Sequence, residues 1–307
     1  MKKDAPQIAV VGSSNMDLVV KSTRIPAVGE TILGGDFIMV PGGKGANQAV
    51  AAAKLGAEVY FIAKLGSDIF AEHSLDNFRR ARVNTKYVIQ TNEAPSGVAL
   101  IMVDDEGNNS IVVAPGANQK LLPADVKKAE SDIASCGAVV AQLEVPLETI
   151  EFAAKMANDL KVPFVLDPAP AQELEAELLE MVDVLTPNET EAQILTGVEV
   201  TDEDSARTAA TTLLERGVKA VILTLGGKGF FLADRDGSRY VSAQKVDAVD
   251  STAAGDAFTG SLAAGMAEGK TLLDAALFAN YVAALSVTKM GAQSSMPTLQ
   301  EVKNFMS

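Results

Sequence analysis

Short runs of Val, Ile, Leu and Ala with almost no polar interruption recur at residues 8–12, 59–63, 138–143, 163–166, 184–186 and 220–225. An unbroken apolar run of this length suits a strand covered on both faces, because a strand with one wet face alternates instead. Between these runs, the segments 44–55, 147–160, 205–216, 254–268 and 272–289 repeat their apolar residues at helical spacing. Strand, helix and strand in succession predict an α/β fold: a three-layer sandwich with a mostly parallel central sheet and helices on both faces.

Two stretches break that rhythm. Residues 18–21 with 32–40 read as extended chain around Pro26 and Gly29, and 98–103 with 111–114 as a hairpin whose turn chemistry is Gly107-Asn108-Asn109. These four strands are expected to form a small sheet projecting from the body, drawn from about 15–42 and 96–115. Such a sheet suits a lid, an edge offered to a second subunit, or a surface hairpin without function, and the pattern alone does not choose. With no internal repeat, low-complexity tract or long linker, residues 1–307 read as one domain with this appendage.

Composition narrows the function. The 307 residues carry 26 Lys+Arg against 40 Asp+Glu, a formal net charge of −14, which argues against nucleic-acid binding. A local positive pocket for a small anion stays open. The single cysteine, Cys136, excludes an internal disulfide framework, and the single histidine, His73, excludes His-based metal triads and Ser-His-Asp chemistry. Both read as packed or surface residues. The start of the chain lacks the apolar core of a signal peptide and no segment is long enough to span a membrane, so a soluble, cytoplasmic protein is expected.

Three familiar phosphate motifs fail. Gly269-Lys270-Thr271 would need its first P-loop glycine at Ala264, and it reads as a helix stop. Gly43-Lys44-Gly45 would need a dinucleotide-binding glycine at Gln48, and Gly227-Lys228-Gly229 also lacks its third glycine.

Four other segments carry chemistry. Residues 41–48, Pro-Gly-Gly-Lys-Gly-Ala-Asn-Gln, form a glycine-rich turn opening an Ala-rich helix. That start is expected to offer unpaired amides, with Lys44 and Asn47 on one face for a hydroxylated ligand. At 250–256, Asp-Ser-Thr-Ala-Ala-Gly-Asp, the small residues Ala253, Ala254 and Gly255 leave helix-start amides open as an anion cradle. Asp256 follows in the first turn. Amides that stabilise a moving phosphoryl group beside a carboxylate that takes the attacking hydroxyl's proton are the parts phosphoryl transfer needs. The helix dipole is expected to depress the Asp256 pKa. Asn188 and Glu191 lie three apart at another helix start; alone they read as a cap, and beside nucleotide phosphates they could hold hydrated Mg²⁺. Residues 224–229, Thr-Leu-Gly-Gly-Lys-Gly, follow a buried strand where a nucleotide could lie.

In this combination the sequence resembles the ribokinase-like (PfkB-type) carbohydrate kinases, essentially end to end, on the Gly-Gly-Lys-Gly-Ala-Asn-Gln segment at 42–48 and the Ala-Ala-Gly-Asp ending at 256. The resemblance implies ATP-dependent phosphorylation of the D-ribose 5-hydroxyl, with Asp256 as base and Ala253, Ala254 and Gly255 as anion hole. It implies sugar contacts at Asn15, Asp17, Gly42, Gly43, Lys44, Asn47, Glu144 and Asp256, with Met16 as a bulky wall between two of them. Nucleotide contacts follow at Asn188, Thr224, Leu225, Gly226, Gly227, Lys228, Gly229, Gly255 and Asn280, with Glu191 near Mg²⁺. A monovalent cation, usually K⁺, is implied at Asp250, Thr252, Ser286, Lys289, Gly291 and Ser295. A homodimer through the small sheet is also implied. Alternatives are a kinase of the same family for 2-deoxyribose or another pentose and, more remotely, a non-catalytic sugar or nucleotide sensor.

Overall fold

The apolar runs pair at the centre of a nine-stranded sheet in the computed structural model, which describes residues 5–307. The strands are β1 (Gln7–Val11), β2 (Asn15–Lys21), β3 (Phe37–Gly42), β4 (Glu58–Gly66), β5 (Asn84–Thr91), β6 (Gly97–Val103), β7 (Asn109–Ala114), β8 (Ala138–Ala141), β9 (Phe164–Leu166), β10 (Val184–Leu185), β11 (Ala220–Thr224), β12 (Gly229–Asp234) and β13 (Gly237–Ser242). The large sheet runs β13-β12-β11-β10-β9-β8-β1-β4-β5. It is parallel from β11 to β5, and β12 and β13 add an antiparallel edge. Successive β1 residues serve opposite cores: Ile8 and Val10 join one apolar cluster, Ala9 and Val11 the other. That two-sided burial explains why the run is continuous.

Helices Leu147–Leu160 and Glu203–Glu215 cover one face, and Lys44–Lys54, Ala254–Ala267 and Leu272–Ser286 the other. Several ends differ from expectation. β8 stops at Ala141, so Gln142 and Leu143 run past the sheet. The extended segment expected from 32 begins only at Phe37, because Gly35 turns back to donate to the Lys21 carbonyl at 2.8 Å. The helix expected to 289 ends at Ser286. β5, β13 and the helices Ile69–Ala81 and Leu299–Met306 were not foreseen as elements, whereas Phe230-Phe231 reads as extended and lies in β12. In Ile69–Ala81 only Ala71, Ser74 and Phe78 are buried, too thin a stripe to stand out. Gly269 does stop a helix, with φ 82°, and Thr271 caps the next. Cys136 is buried and His73 lies on the surface.

The smaller sheet runs β3-β2-β6-β7 and is mixed: β2 pairs β6 in parallel, and the outer pairs are antiparallel. Phe37, Ile38, Leu100, Ile111, Val112 and Val113 are exposed on it. Among the described residues no helix is long and apolar enough to cross a membrane.

Two features position a site. Connections from β1 lead toward β4 while β8 lies on its other side, so strand order reverses between β1 and β8, and a crevice opens beyond their carboxyl ends. Above it the helices Lys44–Lys54 and Ala254–Ala267 pack closely, because a Cβ on Gly260 would sit 2.5 Å from the Gln48 carbonyl oxygen. Gly260→Ala gains helix propensity but forces that contact apart. Overpacking is expected to win, lowering stability by roughly 1–3 kcal/mol in urea unfolding; a variant as stable as the parent would contradict the close contact.

Candidate active site

Two helices begin at the crevice, and their starts are built differently. At Lys44–Lys54, Gly43 takes φ 89°, a left-handed conformation that suits glycine, and turns the chain off β3 into the helix. The amides there are already occupied: Lys44 N–H donates to Glu144 Oε2 at 3.0 Å, Ala46 N–H to the Ser13 carbonyl at 2.8 Å and Gly45 N–H to Ser13 Oγ at 3.4 Å. Ser13 Oγ in turn donates to Glu144. The open amides expected at this turn are therefore not found.

Ala254–Ala267 begins uncapped. Asp68, Asn188, Asp202, Thr271 and Thr298 each cap a helix with a side-chain oxygen, whereas Ala253 has none and sits in the left-handed region at φ 60°. For an alanine that conformation is strained. Ala254 N–H donates to the Ser251 carbonyl at 3.2 Å, which makes it less free than expected. The amides of Ala253, Gly255 and Asp256 have no acceptor among the described residues. A Cβ on Gly255 would meet nothing within 4 Å. An uncapped helix start facing open space is a place for an anion.

Asp256 lies in that first turn, buried, and is held by Asn47 Nδ2 at 2.8 Å and Gln48 Nε2 at 3.2 Å. Burial pushes its carboxyl above the ordinary range; Lys44 and the two amides pull it down without reversing the sign. The depression expected from the helix dipole is thus overturned by desolvation. Burial also works against the Lys44 ammonium, but Asp256, Asp167, Glu144 and Glu191 outweigh it and keep the lysine charged.

β2 carries the opposite wall. Asn118 Nδ2 donates to Asn15 Oδ1 at 2.7 Å, which leaves the Asn15 amide hydrogens for a ligand. The Asp17 carboxylate accepts no hydrogen bond from a described residue, and Gly42 leaves it room, since a Cβ there would approach it to 2.3 Å. Burial, Glu144 and Asp256 raise the Asp17 pKa to about 6. Asn47 Oδ1 is buried without a partner. Met16 is buried, and strand alternation sends it to the other face from Asn15 and Asp17, so it does not wall the cleft.

Farther along the strand ends, Asn188 and Glu191 form a reciprocal cap, each side chain accepting the other's amide at 2.8 Å. Asn188 also bridges to Thr224. Residues 224–229 turn out of β11, and Cβ atoms on Gly226 or Gly227 would meet only open space. Gly229 pairs with Ser242, whose carbonyl accepts from Asn280 Nδ2 at 2.9 Å, so the glycine turn and Asn280 share one edge. Lys228 lies on the surface beside Glu189.

The residues implied for a monovalent cation group on two neighbouring segments, with Ser286 at the end of the helix Leu272–Ser286. Asp250 accepts from Thr252 and from Gly291 N–H at 2.8 Å, and Asp250 N–H donates to the Val287 carbonyl. The carbonyls of Asp250, Thr252, Lys289, Gly291 and Ser295 accept no hydrogen bond from described residues, an oxygen-only set that fits a hard monovalent cation. Ser286 fits less well, since its carbonyl accepts the Lys289 amide and its hydroxyl donates to Ala283. The Lys289 ammonium pairs with Glu301, away from the loops. No cluster of three or more His, Cys, Asp or Glu among the described residues is placed to hold a metal. Mg²⁺ therefore fits only as a largely hydrated ion shared between phosphates and a carboxylate such as Glu191.

Four residues here escaped the sequence reading, Ser13, Asn118, Gln142 and Asp167, and Gln48 stood in the glycine-rich segment without a role. Gln142 and Asp167 carried a signal, a polar side chain directly after a buried strand. Asn118 carried none.

An α/β sandwich with a small second sheet, a buried carboxylate and an open amide cradle defines a small-molecule kinase. The model of the pfkB family carbohydrate kinases matches residues 5–299, and the chain belongs to that family. It is similar to the ribokinase of Haemophilus influenzae, 44% identical over 97% of this chain and 98% of that one. A deoxyribokinase of Salmonella typhi is 40% identical over 98% of each. The structure of Arabidopsis thaliana ribokinase complexed with ribose and ATP superposes with a TM-score of 0.91 at 34% identity, covering 99% of both chains.

Asp17 sets a pH test. Folded, its carboxyl keeps a proton up to about pH 6, against 3.8 ordinarily, so the native state binds more protons in that window and loses stability as pH rises through it. The penalty, complete above the folded pKa, amounts to roughly 2–3 kcal/mol. Asp17→Asn is expected to be more stable than the parent at pH 8, with the advantage fading by pH 4 in urea unfolding. Equal stabilities at pH 8 would contradict the burial of this charge.

Proposed function

We propose that the protein transfers the γ-phosphoryl group of ATP to the 5-hydroxyl of D-ribose. The observation that carries this is the contrast between the two helix starts: one filled by Glu144 and Ser13, the other left open with a buried carboxylate in its first turn. As the ribose oxygen bonds to the γ-phosphorus and the bond to ADP breaks, the hydroxyl proton passes to Asp256. Its raised pKa makes it a stronger base than an exposed aspartate. The Gly255 and neighbouring amides stabilise charge on the transferring group, and Lys44 supplies a positive charge among the carboxylates. Asn188, residues 224–229, Gly255 and Asn280 contact the nucleotide. Mg²⁺ near Glu191 would neutralise phosphate charge, and K⁺ at the 250–252 and 286–295 loops would shape the cradle from behind.

Asn15, Asp17, Gly42, Gly43, Lys44, Asn47 and Glu144 receive the sugar. Asn15 supports ribose over 2-deoxyribose, because its oxygen is committed to Asn118 and its remaining donors need an acceptor such as the 2-hydroxyl. The similarity to a deoxyribokinase keeps the deoxy-sugar as the second reading. Retention of Asp256 speaks against a non-catalytic sensor. The segments 15–42 and 96–115 act as a lid over the sugar, and their exposed apolar side chains support pairing with a second copy. Dependence on ATP suits a cytoplasmic enzyme.

Two experiments test this reading. Asp256→Asn is expected to lower kcat by roughly 10²–10⁴-fold in an ADP-release assay while the protein stays folded. Gly255→Ala is expected to keep its stability, since the Cβ meets no atom, yet lose at least about tenfold in kcat/KM as it fills the cradle. Near-normal turnover in both would refute the site. Separately, kcat/KM for ribose is expected to exceed that for 2-deoxyribose by at least tenfold, roughly the cost of one unpaired donor; the reverse preference would make the deoxy-sugar the substrate.

A further inference from the structure

Beneath Asp256 lies a chain of buried amides that no step above uses. Gln142 Nε2 donates to Gln48 Oε1 at 2.6 Å. The Gln48 amide then divides its two hydrogens between Asp167 Oδ2, at 2.7 Å, and Asp256 Oδ1, at 3.2 Å. Gln48 and Gln142 are fully buried, and Asp167 is buried at the end of β9.

Neither amide of this chain can flip by itself. A flipped Gln48 amide would face its oxygen toward two carboxyls and its hydrogens toward the Gln142 donor. Flipping Gln142 alone would set two amide oxygens against each other. The arrangement present avoids both, at the cost of one orphan acceptor at the far end: Gln142 Oε1 is buried without a partner. Room for that orphan comes from Gly12, where a Cβ would lie 2.0 Å from it. The Gln48 backbone is pinned as well, by the contact of its carbonyl with Gly260.

We propose that Gln48 is the positioning residue for Asp256: its amide, oriented by Gln142 and anchored on Asp167, holds one carboxylate oxygen so that the other faces the hydroxyl to be deprotonated. The inference rests on Asp256 acting as the base. Asn47 steadies the same carboxylate from the sugar side, so Asp256 is gripped at both oxygens. The groups that face it electrostatically are Lys44, Glu144, Asp167, Glu191 and Asp17. Against that background the Gln48 donor favours the ionised form, so removing it raises the pKa of the base.

The test uses Gln48→Met and Gln142→Met, near in volume and without donors, measured for kcat, both KM values, thermal stability and the pH dependence of kcat/KM. Gln142→Met touches neither carboxylate and serves if Gln48→Met does not fold. Each variant is expected to lose roughly tenfold or more in kcat with KM values nearly unchanged. The acid limb should move to higher pH, farther for Gln48→Met, because the base now protonates more easily. A folded variant with parental kcat and an unmoved acid limb overturns the role of Gln48. A purely structural role would lower thermal stability and leave the limb in place, which also overturns it. If Asp256→Asn itself keeps near-normal turnover, the base assignment fails first, and that result is separate from these.

Discussion

The approach of two Ala- and Gly-rich helices governs the rest of the structure. Lys44–Lys54 and Ala254–Ala267 come from distant parts of the chain, yet Gly260 lets the second lie directly on the Gln48 carbonyl of the first. Their length of buried small side chains is what allows both N-termini to reach the same crevice beyond β1 and β8. A larger residue along that seam would separate Asn47 and Gln48 from Asp256 and leave a buried carboxylate without its donors, an outcome costlier than the lost packing alone.

From that seam follows a division of labour between helix starts. Protein oxygens satisfy the amides of the first, which becomes a rigid platform for side chains. The second keeps most of its amides free by beginning on a left-handed alanine where five other helices place a capping oxygen. Backbone strain at Ala253 and unsatisfied donors thus fall together where an incoming anion would satisfy the donors. Desolvation then sets the character of the carboxylates: it lifts Asp256 and Asp17 together, while the surrounding negative charge keeps Lys44 protonated.

Much of this was legible in the residues. Continuous apolar runs marked the strands buried on both faces, and glycine and alanine clusters marked both helix starts. Edge elements were harder to read: β13 is mostly exposed and polar, and Ile69–Ala81 buries too few side chains to show a stripe. Local electrostatics alone also misled, since desolvation raises the Asp256 pKa where the helix dipole pointed to a depression. Glu144 capping Lys44 spans 100 residues and Asn118 orienting Asn15 spans 103, contacts that no local pattern reveals. Gln48 stood inside the quoted motif, but its partners Gln142 and Asp167 come from other strand ends, so its role emerges only in three dimensions.

The central claim is that the open start of Ala254–Ala267 receives the phosphoryl group beside Asp256. A crystal structure with ribose, ADP and a planar metal fluoride mimicking the group in flight tests it most directly. The account predicts fluorides within hydrogen-bonding distance of the Gly255 and Asp256 amides, and a carboxylate oxygen of Asp256 against the primary hydroxyl of the sugar. A fluoride plane bound elsewhere, with Asp256 turned from that hydroxyl, would contradict it.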